Sequence, residues 1–75
     1  MVVLKLTDGE HTFFITINEL STVQDLIDEL KKRITLIRPT LLCKGEPLNP
    51  NAMISNLRFK EFQKIIFNDK YNGGA

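Results

Sequence analysis

Val2-Val3-Leu4-Lys5-Leu6-Thr7-Asp8-Gly9-Glu10-His11-Thr12-Phe13-Phe14-Ile15-Thr16-Ile17 is the stretch that decides the fold. Both of its halves are rich in β-branched, aliphatic and aromatic residues, which suit a pleated, half-buried surface. A period of two puts Val2, Leu4 and Leu6 on one face of a first strand, and Phe13, Ile15 and Ile17 on one face of a second. Phe14 and Thr16 then point the other way. Between the halves, Asp8-Gly9 tolerates positive φ and is the strongest short-range hairpin signal in the chain. His11 follows the turn with no carboxylate or second histidine at ligand or catalytic spacing, so it reads as an exposed strand residue.

Asn18-Glu19-Leu20 ends the second strand, and a helix follows. Ser21 with Gln24 has capping-box spacing, and Thr22 with Asp25 is a second option. Val23, Leu26, Ile27, Leu30 and Ile34 recur at the spacing of a helix face that packs on a sheet. Asp25, Asp28 and Glu29 come early and Lys31, Lys32 and Arg33 late, an order that complements the helix dipole and accounts for the basic trio without a phosphate ligand. Pro39 requires the helix to be over by Arg38.

Beyond it, Thr40-Leu41-Leu42-Cys43-Lys44 reads as a short strand closed by Gly45, with Leu41 and Cys43 toward the core and Leu42 and Lys44 outward. Glu46-Pro47-Leu48 is a turn into another short extended piece. Asn49-Pro50-Asn51 is loop chemistry, and Ala52–Leu57 holds a short helical turn. Ile54, Leu57 and Phe59 close the bottom of the core. The last strand is Lys64-Ile65-Ile66-Phe67-Asn68, with Ile65 and Phe67 inward and Ile66 and Asn68 outward. No basic or thiolate-stabilising neighbour shares the face of Cys43, which reads as a buried structural thiol.

Composition narrows the function classes. A chain of 75 residues has room for one small core and buries only about 60% of its unfolded surface. Ten basic against nine acidic side chains leave a net charge of +1, which gives no broad electrostatic reason to bind nucleic acid. The apolar runs fall far short of the ~20 residues a membrane span needs, and no basic-then-apolar leader opens the chain. These features predict a soluble protein of the cytoplasm, the nucleus or both, without a membrane partner. A single cysteine excludes an internal disulfide framework and a cysteine-based zinc cluster. Without a partnered constellation of nucleophile and base, nothing supports an enzyme, a bound metal or a cofactor.

The element order is hairpin, helix, short strands, loop-rich stretch and final strand. It predicts an α+β fold: a mixed sheet of four to five strands, one helix packed across it, and the last strand beside the first. On these residues the chain resembles the ubiquitin-like protein family over nearly its whole length. The resemblance rests on the Asp8-Gly9 hairpin, the Ser21-Thr22-Val23 helix entry, Leu41-Leu42-Cys43-Lys44-Gly45 followed by Leu48, and Ile54-Ser55-Asn56-Leu57. From Thr40 to Gly74 the chain and ubiquitin align without a gap, and Gly73-Gly74 falls on the family's terminal glycines. The resemblance implies a ubiquitin-like β-grasp domain over residues 1–69 and a flexible tail over 70–75.

The departures carry information too. The glycine and paired prolines that follow the family's helix are missing, and the connection over residues 34–38 is shorter. By resemblance, Leu42 and Ile66 take two places of the family's apolar binding patch, and the third is the polar Asn68. Lys44, Asn68 and Lys70 join Leu42 and Ile66 as the expected partner-binding residues. Glu46 stands at a chain-forming lysine of ubiquitin. Lys70 and Asn72 replace its tail arginines, and a lysine keeps charge but not planar bidentate contact.

What the resemblance implies is a divergent modifier, a substrate of catalysis and not a catalyst. A processing protease removes Ala75, and an activating enzyme adenylates the Gly74 carboxylate with ATP. The acyl group then passes through thioesters on activating and conjugating enzymes to target-protein lysines, since an adenylate or thioester has a good leaving group where a carboxylate has none. Glycine suits the donor position because no β-carbon crowds the carbonyl. The expected molecule is a monomer. Two other readings share these residues: a Gly-Gly sulfur carrier, which accepts sulfur as a thiocarboxylate, and a non-conjugated ubiquitin-like interaction domain of a larger protein.

Overall fold

The computed structural model describes residues 1–69. Strand β1, Val2–Thr7, pairs antiparallel with β2, Thr12–Ile17, in the register Leu4 opposite Ile15 and Leu6 opposite Phe13. Helix α1, Val23–Lys31, leads to β3, Pro39–Cys43, and the short β4, Glu46–Pro47. A turn of helix α2, Ile54–Leu57, precedes β5, Gln63–Asp69. The sheet has five strands in the order β2-β1-β5-β3-β4. β5 runs parallel to β1 and antiparallel to β3, so the last strand fills the centre beside the first. This is the mixed sheet of a β-grasp, with α1 packed across one face.

The hairpin alternation holds. Val2, Leu4, Leu6, Ile15 and Ile17 are buried, while Phe14 is exposed. Val23, Leu26, Ile27 and Leu30 of α1 meet them, and Leu41, Ile54, Ile65 and Phe67 complete the core. Phe13, Ile34, Leu57 and Phe59 pack around its rim. No buried side-chain nitrogen or oxygen among the described residues lacks a hydrogen-bond partner, as a core this small requires.

Local details depart from expectation for identifiable reasons. The hairpin is not closed by Asp8-Gly9 alone. Strand pairing stops at Thr7 and Thr12, and the loop Asp8–His11 is organised by the Asp8 carboxylate, which accepts the Glu10 and His11 backbone N–H groups at 2.8 and 2.6 Å. Gly9 alone takes positive φ there, at 98°. His11 therefore does have a carboxylate partner, because the loop brings its Nδ1 to 3.2 Å from Asp8 Oδ2. The side chain remains exposed, as expected.

At α1 the second capping option prevails. The Thr22 hydroxyl accepts the Asp25 N–H and the Asp25 carboxylate accepts the Thr22 N–H, a complete capping box. The Val23 and Gln24 N–H groups find the Ala52 and Pro50 carbonyls at 2.9 Å each. The loop after β4 thereby satisfies helix donors that would otherwise lack partners.

Lys44 is not a strand residue. It and Gly45 alone connect β3 to β4, with φ of 53° and 81°, the two positive values a type I′ hairpin turn demands. Cys43 is half-buried, less enclosed than the core thiol expected, because it sits at the end of β3 beside this turn.

Candidate functional site

The outer face of the sheet, opposite α1, carries three of the expected partner-binding residues, Leu42, Ile66 and Asn68. Leu42 of β3 lies directly opposite Ile66 of β5. Directly opposite side chains on adjacent strands stand about 4.5–5.5 Å apart at Cβ, so the two form one apolar spot. Both are half-buried. Ile66 is also opposite Thr7 of β1. Asn68 follows on the same face, opposite Thr40, and is exposed. The spot is therefore two aliphatic side chains wide, and Thr7, Thr40 and Asn68 give it a polar border. Lys44 belongs to the β3–β4 turn and not to the strand face. Lys70, Gly73, Gly74 and Ala75 lie outside the described residues.

The end of β5 is fixed by a side chain. Asp69 ends β5 opposite Pro39. Its carboxylate accepts the Ile37 N–H at 3.0 and 3.1 Å and the Arg38 N–H at 2.7 Å. These bonds tether the shortened connection after α1 to the end of the central strand. Sequence reading passed over Asp69, since only the fold brings it to a segment so far back in the chain.

A second cluster shares the outer face. Phe14 is 58% exposed and Phe62 59% exposed, and their rings meet edge to face, 6.1 Å apart at an interplanar angle of 81°. Lys5 lies opposite Phe14 on one side and opposite Lys64 on the other. Phe62 has φ of 60°, a conformation unfavourable to a bulky residue. The period-two pattern set Phe14 outward, but nothing in the sequence marked Phe62 as its partner.

The opposite side of the molecule carries charges of both signs, Asp25, Asp28 and Glu29 with Lys31, Lys32 and Arg33. An open groove of about 430 Å³ runs between the free edge of β2 and α1, with Thr16, Asp25, Asp28 and Lys32 among its walls. Lys32 is bonded to Glu29 at 2.8 Å. That bond, with the nearby Lys32 charge, holds the Glu29 carboxyl below its ordinary range. Among the described residues no three His, Cys, Asp or Glu side chains gather as a metal site, and no helix is long and apolar enough to cross a membrane. What the outer face offers is exposed aromatic and half-buried aliphatic area.

No protein-family model matches the chain, and no curated protein matches its sequence. Solved structures do match its fold. The structure of ATBAG1 in complex with HSP70 superposes with a TM-score of 0.86 at 15% identity, covering 92% of this chain and 40% of that one. This chain thus spans well under half of the ATBAG1 chain. The solution structure of a ubiquitin-like domain from an Arabidopsis thaliana protein gives 0.87 at 18% identity, covering 99% and 82%. A structure described as molecular mimicry of SUMO that promotes DNA repair gives 0.78 at 21% identity, covering 89% of each chain. Identities this low speak to architecture alone. With the strand order, the register and the helix across the sheet, they show that the chain has the ubiquitin-like β-grasp fold.

Proposed function

We propose that the chain is a ubiquitin-like protein modifier, joined through Gly74 to lysine amines of target proteins. The observation that carries this reading is the pair Gly73-Gly74, placed a few residues beyond Asp69, the last residue of the central strand of a ubiquitin-like β-grasp. In this reading residues 1–69 are the recognised body and 70–75 the tail. Hydrolysis of the Gly74–Ala75 bond by a processing protease frees the Gly74 carboxylate. The carboxylate attacks the α-phosphate of ATP, giving an acyl adenylate and pyrophosphate. An enzyme thiolate displaces AMP to form a thioester, and a lysine amine displaces the thiolate to form an isopeptide bond, losing its proton to a base. Leu42 and Ile66, with Asn68 beside them, form the surface for the activating and conjugating enzymes, and Lys44 and Lys70 add contacts to it. The site of action is the cytoplasm, the nucleus or both.

Intact-mass measurement after incubation in a cell extract with ATP tests the reading. The expected products are the chain ending at Gly74 and adducts through that residue. A Gly74→Ala variant should keep its fold and lose thioester formation. A chain that stays uncut and unattached, while a control modifier is processed, removes the proposal.

One observation favours a second reading, a non-conjugated interaction domain. The same fold occupies only part of the longer ATBAG1 chain, whose structure is a complex with HSP70. On that reading the chain acts through its sheet face and Gly73-Gly74 is a linker. Attachment to lysine in the mass experiment decides between the two.

A further inference from the structure

We propose that the outer sheet face carries a second docking surface, centred on Phe14 and Phe62 and bordered by Lys5 and Lys64, that takes an acidic segment of another protein bearing an apolar or aromatic anchor. The proposal depends on the folded body alone and holds whether or not Gly74 is conjugated.

Two aromatic rings more than half exposed touch each other and leave the rest of their apolar surface in solvent. Phe62 holds its ring there from a left-handed backbone position, φ 60°. The surrounding structure maintains that conformation: the Phe62 N–H donates to the Val3 carbonyl at 2.7 Å, and the Gln63 N–H to the Lys60 carbonyl at 3.0 Å.

Charge selects the partner. Lys5 and Lys64 are directly opposite each other on β1 and β5, an arrangement in which like charges repel. None of the ion pairs among the described residues involves either lysine. Glu61 stands nearby, but its carboxylate accepts the Val3 N–H at 2.6 Å. Asp25 and Asp28 lie on the α1 side of the molecule. A carboxylate-bearing segment laid across the face would meet both lysines and relieve their repulsion, while its anchor covered the two rings. Phe14, Lys5 and Lys64 form one row across β2, β1 and β5, while Ile66 lies in the row of Thr7, so the two surfaces can be substituted separately.

Amide shift mapping on the full-length, isotope-labelled chain provides the test. The probes are a short synthetic peptide of alternating Glu and Asp around a central Leu-Phe pair, a version with Lys for every acid, and a version with Ser for the anchor. The acidic peptide should shift Val3, Lys5, Phe14, Phe62 and Lys64, and its binding should weaken with salt. Phe62→Gly should weaken it about tenfold or more, the scale of losing one aromatic anchor, and Lys64→Glu should act in the same direction. Glycine is at home at positive φ, so Phe62→Gly retains the fold; Phe14→Ser, at an exposed strand position, is the independent second variant. Equal binding of the lysine peptide, shifts confined to Leu42 and Ile66, or no shifts at all would overturn the proposal. So would concentration-dependent shifts at Phe14 and Phe62 without peptide, which would identify the occupant as a second copy of this chain.

Discussion

The Asp69 carboxylate accepts the backbone N–H of Arg38 at 2.7 Å, and this bond ties the end of the central strand to the start of β3. The same carboxylate holds the Ile37 N–H. Asp69→Ala should cost up to about 1.5–3 kcal/mol, the range for a hydrogen bond to a charged group. Denaturant unfolding measures the loss. Faster hydrogen exchange at Ile37 and Arg38, with β1 and β2 amides unchanged, would locate it. Unaltered exchange at both amides would show that the connection is held by something else.

The Asp8 carboxyl should titrate near pH 2. Its pKa is lowered from 3.8 to about 2, chiefly by the His11 backbone N–H and next by that of Glu10. A folded value below the unfolded one means that this carboxylate contributes stability above about pH 3.8. The contribution is lost as pH falls through about 2. Carbon-detected titration of the Asp8 side chain gives the midpoint directly, and Asp8→Ala should flatten the acid limb of stability over that window. A midpoint at the ordinary value would mean that the loop is open in solution.

These two carboxylates illustrate what the sequence could and could not disclose. The alternation in Val2–Thr7 and Thr12–Ile17 and the helical spacing from Val23 to Leu30 are properties of neighbours in the chain, and the buried set follows them. With the element order they were sufficient for a mixed sheet crossed by one helix, and the resemblance to the ubiquitin-like family supplied the β-grasp. Leu42 and Ile66 could be set on one face by their periods, but their direct opposition depends on the β3–β5 register, which no local pattern encodes. Asp8 and Asp69 act through loop geometry. Competing caps at Ser21 and Thr22 were close in sequence quality, and the contacts of the first helical N–H groups with the Pro50 and Ala52 carbonyls go with the helix starting after Thr22. Phe62 was silent because left-handed backbone is normally signalled by glycine or asparagine, and here a phenylalanine occupies it.

Leu4→Ala should be the severe core substitution. Leu4 is fully buried on β1, between Ile15 of β2 and Gln63 of β5, so few neighbours can move into the space. A loss of about 2–5 kcal/mol is expected, against a total of about 5–15 kcal/mol for a whole domain. The variant should be partly unfolded at 37 °C, visible as lost amide dispersion. A loss below about 1 kcal/mol, which is typical of surface and not core truncation, would contradict this placement of Leu4.

Phe62→Gly and Phe62→Ala should separate in stability. Both remove the ring and its edge-to-face contact with Phe14, so that loss cancels in the comparison. Alanine keeps a β-carbon at φ 60°, a conformation that costs an L-residue about 1–2 kcal/mol. Glycine escapes that cost but gives the unfolded chain more freedom, a penalty of about 0.4–1 kcal/mol. The glycine variant should therefore be the more stable by roughly 0.5–1 kcal/mol, a difference that paired urea denaturation curves with equal slopes can resolve. If the alanine variant proves equal or better, residue 62 is not held left-handed in solution, and the strain assigned to it is absent.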